Sequence, residues 1–194
     1  MDQTETDRRE ITAVRALLGA KPRPVGWAER RARIDEVGSV WPVAADVTLT
    51  PVAAGGVPAE WSIVPGSDPS RVLTFLHGGG YCSGSLVSHR RMVTEAGRAA
   101  KIRTLAVAYR LAPEYPFPAG LDDALSVYRF LRGQGIAASH IAVAGDSAGG
   151  GLDISRSHIL NRDSCSGNDC AGWVRDDAGE PGGCVLRPRR DRGG

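Results

Sequence analysis

Three nearly continuous apolar runs, VLTFLH (72–77), TLAVAYR (104–110) and IAVAGD (141–146), constrain this chain of 194 residues more than any other feature. A strand with one wet face alternates apolar and polar residues, whereas a strand buried on both faces of a parallel sheet does not. Helical spacing fills the gaps between the runs, roughly over 86–100 and 119–133. Strand–helix–strand–helix–strand predicts an α/β fold, a mostly parallel sheet wound by right-handed crossovers with helices on both faces. Upstream, the alternating runs 46–53 and 58–64 flank the turn Ala54-Gly55-Gly56 and read as an antiparallel hairpin. Residues 5–19 and 25–38 have helical spacing, with Ile11, Val14, Leu17 and Leu18 in one apolar stripe. The KPRP segment (21–24) separates the two.

Composition excludes several classes. Hydrophobic residues make up 42% and charged residues 24%, ordinary for a globular domain. A net charge of +2 gives no reason to expect nucleic acid or an anionic membrane as partner. Charges scattered through the first twenty residues argue against a signal peptide, and no stretch has the eighteen or so apolar residues of a membrane span, so a cytoplasmic location is expected. Cys82 stands alone in the main body, while Cys165, Cys170 and Cys184 crowd the end. Together with His158 these three match no common zinc-ligand spacing, so no metal is expected. The Arg-rich stretch 187–192 is short and interrupted and reads as a solvated tail. Trp27, Trp41 and Trp61 read as packing residues of the helices and hairpin.

The last buried run leads into Gly145-Asp146-Ser147-Ala148-Gly149, which fits G-x-S-x-G between a strand and a helical stretch. Small residues two before and two after the serine let strand and helix approach through a sharp turn. That turn lifts the Ser147 hydroxyl off the sheet and aims the Ala148 N–H at a developing oxyanion, and the helix N-terminus adds a favourable field. A phosphate loop would need Lys then Ser or Thr after the glycines, where Gly150-Gly151-Leu152 stands, and no G-x-G-x-x-G can be laid over these residues. The first run ends in His77-Gly78-Gly79-Gly80. Three consecutive glycines are entropically costly, which points to a need for bare backbone there. The amides of Gly78 and Gly79 could complete an oxyanion hole with Ala148, with His77 holding the base of the loop.

The segments HGGGYCSGS (77–85), Ser88-His89-Arg90, YRLAPEYPFPAGLDDAL (109–125) and GDSAGGGL (145–152) together resemble the hormone-sensitive-lipase group of α/β-hydrolases. The resemblance covers roughly 40–152, and residues 1–40 look like that group's N-terminal helical cap. It implies a partial α/β-hydrolase fold, divided into 1–40 as cap helices, 41–152 as the first part of the core, and 153–194 as a tail outside the family pattern. It also implies Ser147 as nucleophile, with Gly78, Gly79 and Ala148 as oxyanion donors. His77, His89, Asp146 and the Arg110–Glu114 segment would be structural. The implied chemistry is hydrolysis of a small ester or lactone, with no cofactor.

Two partners of such a serine are not legible. In this fold an acid and then a histidine follow the nucleophile, and the resemblance stops at Leu152. His140 opens the strand that ends at Asp146, about 23 Å from the turn, and His158 lies about 16 Å along a continuing helix. His89 reads as a packing residue, and nothing positions Asp153, Asp163 or Asp169. Residues 153–194 hold 12 hydrophobic residues in 42, against 69 in the 152 before, so disorder or poor packing is expected. A frameshift in the coding sequence would produce such a change. An inert hydrolase-like or ligand-binding protein is therefore the alternative reading. A further expectation is an unpaired edge on strand 141–146, open to self-association.

Overall fold

The structure, a computed structural model, describes residues 3–152. Two helices lead, α1 (Gln3–Gly19) and α2 (Trp27–Gly38), followed by the hairpin β1 (Thr48–Ala54) and β2 (Val57–Ile63). Then come β3 (Asp68–Leu76), α3 (Leu86–Ala100), β4 (Ile102–Val107), α4 (Ala119–Gly133) and β5 (Ile141–Gly145), the last preceded by a 3₁₀ turn at Ala138–His140. Both expected crossover helices form within the expected bounds. None of the helices among the described residues is long and apolar enough to cross a membrane.

The sheet has the order β1-β2-β4-β3-β5. Its inner part is parallel: β3 pairs with β4 on one side and with β5 on the other, Leu76 lying opposite both Val107 and Gly145. The hairpin extends the sheet, because β2 runs antiparallel to β4. The fold is thus an α/β sheet with a parallel centre and an antiparallel wing. Among the described residues β5 pairs only with β3.

Alternation along the parallel strands divides the core between two faces. Val72 and Leu76 of β3, Leu105 and Val107 of β4, and Ile141 and Val143 of β5 pack with Leu121, Ala124, Leu125, Val127 and Leu131 of α4. Phe75, Ala106 and Ala144 face the other way, against Leu86 and Val93 of α3. Helix α3 starts on a reciprocal cap. The Ser85 hydroxyl accepts from the Val87 and Ser88 amides, and the Ser88 hydroxyl accepts from the Ser85 amide, an arrangement that stabilises a helix start by about 1 kcal/mol. Helix α2 lies on α3, and α1 packs loosely on α2. The α1 stripe is accordingly half covered, with Ile11 52% and Leu18 53% exposed. Trp61 packs against the core, whereas Trp27 stays partly exposed under the Arg30 guanidinium.

Candidate active site

Just past Gly145 the chain reverses, and residue 148 already begins a helical turn described to 152. Ser147 takes the corner at φ 48°, a left-handed conformation that costs a non-glycine residue about 1–2 kcal/mol. Neighbouring backbone groups hold it there. The Asp146 amide donates to the Leu76 carbonyl at 3.2 Å, the Gly149 amide to Asp146 O at 2.7 Å, and the Gly151 amide to Ser147 O at 3.3 Å. Gly149 passes so close to the end of β3 that a Cβ would run into the Leu76 carbonyl. Ser147 is exposed and Ala148 is buried.

The loop after β3 meets this turn directly. A Cβ on Gly78 would strike the Asp146 carboxylate and lie 3.1 Å from the Asp146 carbonyl oxygen. Inside the loop, Gly79 O accepts from the Cys82 amide (3.2 Å), the Ser83 amide (3.0 Å) and the Ser83 hydroxyl (2.8 Å), which closes a tight turn over 79–83. The two bends expected to share a bound atom are thus in contact.

His77 lies beneath them, 3% exposed. Its Nδ1–H donates to Gly78 O at 2.9 Å, and its ring stacks on Tyr109 at 4.3 Å. The Tyr109 hydroxyl donates to His77 O at 2.7 Å. Burial pushes the His77 pKa down to about 4, so the imidazole is neutral near pH 7, and burial pushes the Tyr109 phenol up. His77 is therefore a fixed strut under the loop.

Gly78 departs from expectation. Its amide donates to His89 Nε2 at 3.2 Å and so points to the interior. The other ring nitrogen, Nδ1, lies 2.8 Å from the Ser88 hydroxyl oxygen, and Nε2 also lies 3.4 Å from Asp146 Oδ2. By contrast, the amides of Gly79, Gly80 and Ala148 have no acceptor among the described residues. Three glycines in a row do not reveal which amide the interior takes; that depends on His89, eleven residues later.

No described imidazole is hydrogen-bonded to Ser147. His77 and His89 are engaged as above, and His140 stands at the opposite end of β5. His158 and the aspartates at 153, 163 and 169 lie outside the described residues, as do Cys165, Cys170 and Cys184. Asp123, expected only as part of a motif, is buried and takes the Arg110 amide at 2.8 Å and its guanidinium, which fixes the segment after β4. One group that the sequence gives no sign of is Arg31, whose guanidinium reaches from α2 to the loop at Cys82 O, 2.8 Å away. A separate groove of about 550 Å³, lined by Ile11, Val14, Trp41 and Arg91 among others, includes none of these residues.

This strand–serine–helix corner against a glycine loop belongs to a defined class. Residues 73–173 match the family described as alpha/beta hydrolase fold, and the chain belongs to that family. The matched residues continue past Leu152. Within the family the chain is similar to the hormone-sensitive-lipase group. A crystal structure of an esterase from the bacterial hormone-sensitive lipase family superposes with a TM-score of 0.78 at 37% identity, covering 84% of this chain and 55% of that one. An acetyl-hydrolase of Streptomyces hygroscopicus is 44% identical over 109 residues, 56% of this chain and 36% of that protein. An ethyl acetate hydrolase of Pseudomonas putida is 41% identical over 114 residues, 55% of this chain and 36% of that protein. The chain spans between 36% and 50% of the length of these and two further curated esterases.

Proposed function

We propose that this chain carries the nucleophile and oxyanion half of a carboxylic-ester hydrolase acting on a small ester or lactone. The observation that carries the reading is Ser147 held at positive φ, exposed, at the head of a helical turn and next to Asp146, which abuts the glycine loop at Gly78, while the Gly79 and Gly80 amides have no acceptor among the described residues. In this chemistry Ser147 Oγ gives its proton to a general base as it bonds to the acyl carbon, and the carbonyl π electrons move onto oxygen. The amides of Gly79, Gly80 and Ala148 stabilise that oxyanion, and collapse expels the alkoxide, which takes that proton to leave as the alcohol. Water then cleaves the acyl-serine to the acid and restores the hydroxyl. Each such donor contributes about 2.7–4 kcal/mol to the transition state. Gly78, whose amide is turned to His89, contributes close approach rather than a proton. Asp146 and His77 shape the two bends. Relatives named acetyl-hydrolase and ethyl acetate hydrolase favour a short acyl group.

The absence of an imidazole on Ser147 among the described residues favours a second reading, an inert or ligand-binding protein of hydrolase shape. Turnover of p-nitrophenyl acetate by the full chain separates the two. The hydrolase reading expects turnover that Ser147→Ala reduces to background. Hydrolysis at equal rate in both would exclude Ser147 as the nucleophile, and none in either would favour the inert protein. Self-association through the β5 edge belongs to the same proposal, supported by its one-sided pairing among the described residues.

A further inference from the structure

Helix α2 does more than cover α3. Its residue Arg31 places one guanidinium among four oxygens: Nε donates to Cys82 O at 2.8 Å, Nη2 to Ala112 O at 2.9 Å, and Nη1 and Nη2 to the Glu114 carboxylate at 3.0 and 2.7 Å. One helical turn later, Asp35 Oδ1 accepts from the Ser85 hydroxyl at 2.5 Å. Gly38 closes the contact, since a Cβ there would hit the Ser88 backbone. Helix α2 thus grips the loop that follows His77 at two places, Cys82 and Ser85.

The grip reaches the free amides by a short route. Cys82 and Ser83 donate to Gly79 O, so the turn that aims Gly79 and Gly80 is closed by the residue whose own carbonyl Arg31 holds. The Ala112 amide donates to Tyr81 O at 2.9 Å, which ties the second segment held by Arg31 to the same turn. Among the described residues no other group donates to Cys82 O or Ala112 O. A plain surface ion pair contributes little. Here the guanidinium side chain is only 28% exposed, and its planar fork serves two carbonyls as well as a carboxylate. Glu114 holds the Arg31 pKa up, and Arg31 holds that of Glu114 down.

We propose that Arg31 is a positioning residue for the oxyanion side of this site, its guanidinium setting the 79–85 turn and with it the aim of the Gly79 and Gly80 amides. Only the catalytic consequence rests on the ester-hydrolase reading; the grip itself does not.

Hydrogen–deuterium exchange on the full chain, read by peptide mass spectrometry, tests the grip without requiring turnover. In Arg31→Met, amides in 79–85 and 111–115 should exchange about tenfold faster, the scale of two lost hydrogen bonds, with β3 and β4 unchanged. Glu114→Gln leaves both carbonyl contacts and should stay within about threefold of wild type. Arg31→Lys should fall between, because one ammonium replaces a fork; if Arg31→Met does not fold, Arg31→Lys is compared with wild type alone. Unchanged loop exchange in the Arg31 variants, equal acceleration across β3 and β4, or a Glu114→Gln effect as large as that of Arg31→Met would each overturn the proposal. In parallel, fluorophosphonate labelling of Ser147 should slow about tenfold in Arg31→Met, and an unchanged rate would contradict the positioning role. If the wild type takes no label, the hydrolase reading fails while exchange still decides the grip.

Discussion

Ser147 pays a conformational cost for its position. A serine at φ 48° is less comfortable than a glycine would be, so Ser147→Gly should raise stability by up to about 1 kcal/mol while removing the hydroxyl. Thermal unfolding of the two proteins checks this, and a lower Tm in the glycine variant would show that the corner is relaxed. His77 carries a different signature. Burial holds its imidazole neutral with a pKa near 4, against an ordinary value of 6.5. The unfolded chain therefore binds the extra proton first, and stability present above pH 6.5 is lost as pH falls towards 4, by an amount on the order of 3 kcal/mol. The His77 ring protons should titrate near pH 4 by NMR; a midpoint near 6.5 would mean an open, hydrated ring. The identities of Ser147 and His77 were legible in the sequence because each sits in a short motif with its own geometry. Arg31 was not, because a basic residue on a helix looks the same whether it meets water or two backbone carbonyls and a carboxylate.

The corner between β5 and the helical turn at 148 is fixed by contact as much as by torsion. Gly149 abuts the Leu76 carbonyl, so Gly149→Ala must push helix and sheet apart and should cost about 1–3 kcal/mol. The midpoint of urea unfolding reads this directly, and a change under about 0.5 kcal/mol would mean the element yields freely. The nearly continuous apolar runs at 72–77 and 141–146 made β3 and β5 readable, as did the apolar spacing of α3 and α4. The donor set on the glycine loop was less legible. Whether an amide faces inward or outward depends on a ring eleven residues away, and local sequence carries no record of that pairing. The same limit explains why the hairpin was foreseen but not its place beside β4, since strand order depends on contacts between distant segments.

At the scale of the molecule, Ser147 follows directly on β5, which among the described residues has one neighbour. Light scattering should then find oligomers, and Ala142→Lys, which puts a charge on the exposed face of β5, should shift them towards monomer. A monodisperse wild-type monomer would contradict the proposed edge pairing. The two-faced α/β architecture was legible because burial on both sides leaves a compositional trace in each strand. The acid and base that a serine hydrolase requires have no such trace within residues 3–152, and no imidazole described there is hydrogen-bonded to Ser147. Covalent capture tests the central claim most directly: the full chain is treated with a fluorophosphonate and the adduct is mapped by peptide mass spectrometry. A single phosphonyl group on Ser147, abolished in Ser147→Ala, is the expected result. An adduct on another residue, or none on Ser147 in the folded chain, would contradict it.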